Sequence, residues 1–403
     1  MSHQTGPAFP HPGQASAIRK IPFHRPSIGP AEREAVMEVL DSRWLTTGQK
    51  SVAFEEAVRD RVGSAHAVAV NSATAALHLI LEALGIHSGD EVIVPTYTFA
   101  ACGEVCRYLN ARPRLADVDP VTFDLTAETI EPQLRPETKA IMVVHYGGRL
   151  ANMEPILELA RSRGLAVIED AAHALPCSRS GRAAGTWGTA GALSFYATKT
   201  VTTGEGGMVI TDSAEIADRA RLMRLHGMSR DAWKRYSGGG SWYYEIEDAG
   251  FKYNLTDLAA AIGLVQLDRA EAMRAERERV AQRYGRAIEA AGIGALVELP
   301  SAPGPDEVHA WHLYPLRLNL DRVRPTRAET IDRLAEAGIG TSVHFIPLHL
   351  HPYYRRTYDY APADLPVAAR EYEREISMPI YPDLTDGDVD YVVERLAAIL
   401  RPR

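Results

Sequence analysis

The chain has 403 residues, of which 46% are hydrophobic, and a formal net charge of −8. That length can bury large cores and points to two domains, while the acidic balance gives no electrostatic support to a nucleic-acid partner. Cys102, Cys106 and Cys177 make neither an even framework nor a paired CxxC pattern, and Cys102 and Cys106 at helical spacing read as buried thiols, not a metal site. No apolar run reaches transmembrane length and the start lacks a signal-peptide core, so a soluble cytoplasmic enzyme without membrane contact is expected.

Residues 1–20 are rich in Pro, Gly and His and read as disordered. Helical patterns follow near Pro30–Leu40, Ser51–Val62 and Ala75–Leu84, and strand-like runs at His66–Val70, Glu91–Val94, Arg114–Asp117, Lys139–Val144, Ala166–Ile168 and Ala192–Tyr196. This alternation predicts an α/β fold whose mostly parallel sheet is covered by helices on both faces. A charged pattern from about Leu258 to Ala291 predicts one long helix linking the domains, and Trp311–Leu318 and Gly340–Val343 read as strands of a smaller α+β domain. The expected division is a large domain over 21–270 and a small one over 271–403. The run from Tyr236 to Tyr244, with three glycines among aromatics, reads as a mobile loop able to cover a nucleotide.

The most informative segment is SFYATKTVTTGEGG, Ser194–Gly207. A lysine just past a buried strand has an apolar stem and a partly desolvated amine, which lowers its pKa and favours the neutral nucleophile. A plain exposed lysine beyond a strand end is the alternative. Upstream, the continuous apolar run Leu165–Ile168 marks a strand buried on both faces, and it ends in Glu169 and Asp170. Ligands of open α/β sheets bind at such carboxyl ends, although Asp170 alone would also serve as a helix N-cap. Together, a lysine and an aspartate on neighbouring strand ends are the pair that pyridoxal 5'-phosphate (PLP) requires. The lysine holds the aldehyde as an imine and the carboxylate keeps the pyridine nitrogen protonated. Asn71–Leu77, of small residues between a strand and a helix, suits a phosphate at a helix N-terminus, with hydroxyls from Thr74 and Ser194, and also suits ordinary helix capping.

These segments combine with WLTTG (Trp44–Gly48), NSATAALH (Asn71–His78), VPTYTF (Val94–Phe99), VVHYGG (Val143–Gly148), VIEDAAHA (Val167–Ala174), KYNLTD (Lys252–Asp257), GTSVHFIPLH (Gly340–His349) and SMPIYPDLTD (Ser377–Asp386). In this order they resemble the DegT/StrS family of PLP-dependent sugar aminotransferases over nearly the whole chain after about Pro22. The resemblance implies the aspartate-aminotransferase-like fold of PLP enzymes, fold type I, with a mostly parallel seven-stranded sheet in the large domain. It implies Lys199 as the catalytic, cofactor-bearing lysine and proton shuttle, and Asp170 as the pyridinium partner. Phe99 is implied as the ring-stacking aromatic, with a core phenylalanine as the plain alternative. His173 is placed near the phenolic oxygen, and Ala73, Thr74 and Ser194 at the phosphate. Asn254 is placed at the phosphate of a partner subunit, which makes the active site a homodimer property. Thr46, within WLTTG, and His344 are placed on the substrate side.

Tyr196 departs from the family, which often carries His there. Relatives that dehydrate deoxysugars carry His in place of Lys199, so the lysine implies transamination. WLTTG and the HGMSRDAW…GFKYNLTD stretch look most like the branch acting on 4-keto nucleotide sugars, the UDP-4-amino-4-deoxy-L-arabinose aminotransferase type, with L-glutamate as amino donor. A 3-keto sugar or aminocyclitol ketone is the nearer alternative, and a non-catalytic PLP-binding regulator the farther one. No metal is expected: His344, His349 and His351 lie close together without a supporting carboxylate or cysteine pattern. Arg355 and Arg356 read equally as a solvated face or as contacts for a substrate diphosphate.

Overall fold

The computed structural model describes residues 19–229 and 243–400. The first nine strands are β1 (His66–Val70), β2 (Glu91–Pro95), β3 (Arg112–Ala116), β4 (Thr138–Val144), β5 (Ala166–Asp170), β6 (Ser178–Arg179), β7 (Arg182–Ala183), β8 (Ala190–Ser194) and β9 (Gly207–Thr211). All but β6 and β7 form a seven-stranded sheet in the order β1-β9-β8-β5-β4-β2-β3. β9 is antiparallel to both of its neighbours and every other pairing is parallel. Helical crossovers join the parallel neighbours β2 and β3 and β4 and β5, the long helix-free stretch that carries β6 and β7 brings β8 parallel to β5, and from β8 the chain returns antiparallel as β9. The apolar runs are continuous because both faces are covered. Helices Ala73–Ala83, Ala101–Tyr108 and Ala214–Met223 pack on one face; Gln49–Val62, Met153–Arg163 and Asp257–Asp268 close the other.

A second core is built on the antiparallel sheet of β10 (Val297–Glu298), β12 (Tyr314–Leu318) and β13 (Glu375–Met378), covered by helices Ala270–Ala290, Arg327–Glu336 and Asp386–Ile399. The two-residue β11 (Glu307–Val308) pairs with β6 instead. Ile21 belongs to this second core and exchanges backbone hydrogen bonds with Gly338 and Gly340, so the start of the described chain is fastened to its last third.

Several boundaries differ from the sequence expectation. The helix expected over Leu258–Ala291 is two helices, Asp257–Asp268 and Ala270–Ala290, broken at Arg269. The charge periodicity runs on through the break, but the packing partner changes. The first helix lies on Pro30–Ser42 and Gln49–Val62, the second on the second core. At the break, Gln266 and Arg269 turn to Glu32 and the Ser27 carbonyl. No strand forms at Gly340–Val343; single bridges join Ile339 to Ile21 and Ser342 to Ser377, different partners that cannot make one ladder. The strand expected from Trp311 starts at Tyr314, since Trp311 has a positive φ of 48°. β8 ends at Ser194, which leaves Tyr196 and Lys199 in the loop beyond it. The segment 230–242, with most of the expected aromatic loop, lies outside the described residues, as do residues 1–18; Tyr243 and Tyr244 are described and exposed. Among the described residues no helix is long and apolar enough to cross a membrane.

Candidate active site

The carboxyl ends of β1, β2, β4, β5 and β8 meet over one cavity of about 460 Å³. This is the place where open α/β sheets bind ligands, and the volume suits a small-molecule site. Each element delivers residues from its end. Ser72, Ala73 and Thr74 follow β1, Thr98 and Phe99 follow β2, Asp170 and His173 come from β5 and its exit, and Ser194 and Lys199 from β8 and its loop. His312, His344 and Phe345 close the cavity from the last third of the chain.

Helix Ala73–Ala83 begins at the cavity wall. Ser72 caps it by accepting from the Ala75 N–H at 3.1 Å, which leaves the N–H groups of Ala73 and Thr74 at the positive end of the helix dipole, unpaired by the helix itself. Gly207 makes this approach possible. A Cβ there would stand 2.3 Å from the carbonyl carbon and oxygen of Ser72 and 2.6 Å from the Ala73 nitrogen. The glycine at the start of β9 is thus required by close backbone packing against the turn that opens the helix.

Glu169 and Asp170, adjacent in sequence, point to opposite sides of the sheet, as strand alternation demands. Glu169 is wholly buried and accepts from His145 Nε2 at 2.7 Å and from the N–H groups of Gly185, Trp187 and Gly188, so it fastens the loop behind β5. Asp170 faces the cavity. Its carboxylate accepts from the Cys102 thiol at 3.1 Å and from the Ala172 N–H at 3.0 Å. The Cys102 thiol is held well above its ordinary pKa, first by burial and then by the Asp170 charge, and so remains a donor.

Lys199 Nζ lies 3.4 Å from His312 Nε2. Burial pushes the lysine down to about 8; Asp170 opposes that shift and the Arg277 charge adds to it. His173 and His312 lie with ring centroids 4.3 Å apart. Both are held well below the ordinary histidine pKa, by burial and then by the Lys199 charge, and so are neutral rings. Phe99 stands at the mouth, 61% exposed, and Tyr196 lines it beside the lysine loop.

Among the residues singled out from the sequence, Ala73, Thr74, Phe99, Asp170, His173, Ser194, Lys199 and His344 all line this cavity, while Thr46 and Asn254 do not. Thr46 is exposed, and its carbonyl accepts from the Asp257 N–H. Asn254 donates to Thr47 Oγ1 at 2.6 Å, and buried Asp257 accepts from Gly48 N and Ser51 N. WLTTG and KYNLTD are therefore bound to each other, away from the cavity of their own chain. His349 is buried in a hydrogen bond with Thr96, and no metal-binding cluster occurs among the described residues. Arg355 and Arg356 are exposed and do not line the cavity.

Sequence reasoning missed His312, Cys102 as a partner of Asp170, and Arg277. Arg277 is buried, donates to the carbonyls of Trp311 and Ile380, and has no carboxylate partner among the described residues. A histidine in a run read as a strand, and an arginine in a charged helical pattern, carry no local signal of an active site.

The sequence pattern of the DegT/DnrJ/EryC1/StrS aminotransferase family matches residues 26–397. The chain is similar to "Uncharacterized protein MJ1066" of Methanocaldococcus jannaschii, with 50% identity over 94% of this chain and 97% of that protein. It is 45% identical to the spore coat polysaccharide biosynthesis protein SpsC of Bacillus subtilis, over 94% and 97% of the two chains. Among solved structures it resembles Spr1654 of Streptococcus pneumoniae in its PMP-form (TM-score 0.88, 30% identity, 94% of this chain and 99% of that one); the same protein is also solved in its PLP-form. Helicobacter pylori PseC, an aminotransferase involved in the biosynthesis of pseudoaminic acid, matches with a TM-score of 0.86 and 26% identity, covering 95% of this chain and 99% of that one.

Proposed function

The chain belongs to the DegT/DnrJ/EryC1/StrS aminotransferase family, and from that premise we propose that it moves the amino group of L-glutamate to C4 of a keto sugar carried on a nucleotide. It is a PLP-dependent aminotransferase. One observation carries the reading: a lysine amine pushed toward neutrality stands in the same cavity as a doubly hydrogen-bonded aspartate and the N-terminus of a helix.

The residues present fit the cofactor. The N–H groups of Ala73 and Thr74, with the Thr74 and Ser194 hydroxyls, would hold its phosphate, in a turn that Gly207 admits. Asp170 would keep the pyridine nitrogen protonated, Phe99 would stack on the ring, and His173 would stand near its phenolic oxygen. When bound, PLP supplies an electron sink for the carbanion at the donor's α-carbon. Lys199 would carry the proton from that carbon, a general acid–base role worth about 10² to 10⁴ in rate. His312 Nε2 stands within reach of the Lys199 amine and would orient it.

The sugar acceptor is supported by the names of SpsC and PseC, and C4 by the WLTTG and KYNLTD motifs. A homodimer with shared active sites accounts for Asn254 lying outside its own chain's cavity. It also accounts for the exposed Met37, Leu40, Trp44, Leu45 and Val52 on and between helices Pro30–Ser42 and Gln49–Val62.

The test is product NMR after incubation with glutamate and a panel of UDP- and dTDP-keto sugars. Amination at C4 is expected; amination only at C3, or only of a cyclitol ketone, overturns the substrate. Borohydride should trap a pyridoxyl group on Lys199, and Lys199→Ala should abolish turnover.

A further inference from the structure

His344 is held from behind by two residues that neither touch the cavity nor stand near it in sequence. Its Nδ1 is 2.8 Å from Ser377 Oγ, and that oxygen is 2.6 Å from Glu375 Oε1. The other carboxylate oxygen, Oε2, accepts from the His344 backbone N–H at 3.1 Å. Glu375 and Ser377 are wholly buried and lie two apart on β13, hence on one face. The loop is registered against them by paired backbone bonds between Ser342 and Ser377, and the Tyr146 hydroxyl donates to the His344 carbonyl at 2.5 Å. With Nδ1 engaged, Nε2 is the nitrogen left for the cavity.

We propose that Glu375 and Ser377 form a buried proton relay that sets which nitrogen of His344 carries the hydrogen, and so whether His344 meets the substrate as donor or acceptor. The proposal rests on reading the cavity as the aminotransferase site. The logic is a count of hydrogens. Since the His344 N–H occupies Oε2, the proton of Glu375 sits on Oε1. With Glu375 protonated, Oε1–H donates to Ser377, Ser377 O–H donates to Nδ1, and Nε2–H faces the cavity. On ionisation the Glu375 proton passes to Ser377, the Ser377 proton passes to Nδ1, and the Nε2 proton leaves through the cavity. The Ser377 hydroxyl then donates to the carboxylate and accepts from Nδ1–H, and Nε2 presents a lone pair. Every polar atom of the relay is paired in both states, as buried networks require.

Burial pushes Glu375 up to about 8, against the opposing effects of its bonds to Ser377 and His344 and of the Arg327 charge. The other groups facing it are Tyr97, Tyr146 and its register partner Arg317 on β12. Lys199, His173 and His312 face His344 itself. Burial and the Lys199 charge hold His344 down to about 4, so the ring stays neutral while its tautomer changes. Below about 8 the relay thus offers Nε2–H, the partner that a ketone oxygen or a substrate carboxylate accepts from.

The experiment is two-bond ¹H–¹⁵N NMR of the PLP-loaded protein labelled in histidine, from pH 6.5 to 9.5, with His344 assigned by the signal lost in His344→Gln. The expected result is an Nε2–H tautomer at low pH that converts to Nδ1–H through about pH 8. Glu375→Gln supplies a carbonyl for the His344 N–H and an amide donor for Ser377, so it should hold Nε2–H at every pH. It should also remove a roughly fivefold fall in acceptor-substrate kcat/KM above pH 8, the size of one hydrogen bond. Lys199 titrates in the same range, so this comparison between variant and wild type isolates the relay. Ser377→Ala, which cuts the relay without a buried charge change, should abolish the transition as well. An unchanged tautomer across the range in the wild type, or a transition that survives in either variant, overturns the relay. A transition that behaves as expected in a protein that aminates no ketone upholds the relay and overturns the proposed function instead.

Discussion

Gly207→Ala tests the proposal that the turn at Ser72–Thr74 binds the phosphate, without touching a charged or reactive group. A Cβ at this position falls 2.3 Å from Ser72 C and O and 2.6 Å from Ala73 N, whereas ordinary contact begins at 3.4 Å. About an ångström of separation must be found, and the opposing atoms are backbone. Neither side yields cheaply, because Gly207 is paired with Val70 and Ser194 within the sheet and Ser72 caps a buried helix. Overpacking of this kind costs about 1–3 kcal/mol of stability. The part relieved by displacing the helix start moves the Ala73 and Thr74 N–H groups away from the phosphate. Hydrogen bonds to a charged group contribute about 1.5–3 kcal/mol each, so loss of one or both should weaken PLP by roughly 10- to 10⁴-fold. The assay is PLP titration of the apoprotein by absorbance, with thermal melts at several cofactor concentrations. Gly294→Ala, which meets nothing within 4 Å, serves as the control. Wild-type PLP affinity in a folded Gly207→Ala protein would refute the assignment of this turn to the phosphate.

Asp170→Asn should bind PLP yet lose most activity, because an amide cannot hold the pyridine nitrogen protonated; single-turnover kinetics with glutamate read the loss, and near-normal rates would remove Asp170 from its role. Mixing inactive Lys199→Ala and Asn254→Ala subunits should restore activity through hybrid sites, whereas a fully active monomer in solution contradicts the shared site. Covalent capture of PLP by the apoprotein needs the neutral amine, and with Lys199 pushed down to about 8 the capture rate should rise about tenfold per pH unit up to roughly pH 8 and level off above it. Stopped-flow absorbance follows this, and a rate still rising steeply near pH 10 would mean an unperturbed lysine.

Much of the fold, and which strand ends and helix start line the cavity, was determined by the sequence alone, because those features are local. Continuous apolar runs such as Ala166–Ile168 mark strands buried on both faces whatever surrounds them. Asp170 and Ser194 end such runs, and Ala73 and Thr74 open a helix after one. In a sheet of this class, strand ends and helix starts already lie at the ligand site. Recognisable motifs carried these assignments further than periodicity could. What depended on distant partners was decided only in three dimensions. The break at Arg269 follows from a change of packing partner, which the uninterrupted charge pattern of the helix does not record. Glu169 and Asp170 look alike in the sequence; one fastens a loop and the other faces the cavity. His312 reaches Lys199 across 113 positions, and Cys102 reaches Asp170 across 68. Glu375 and Ser377 lie on a strand of the second core and meet His344 only because β13 packs behind the loop that carries it. Hydrogen bonds and pKa shifts act over a few ångströms of space irrespective of separation along the chain, so these residues acquired their chemistry from tertiary packing.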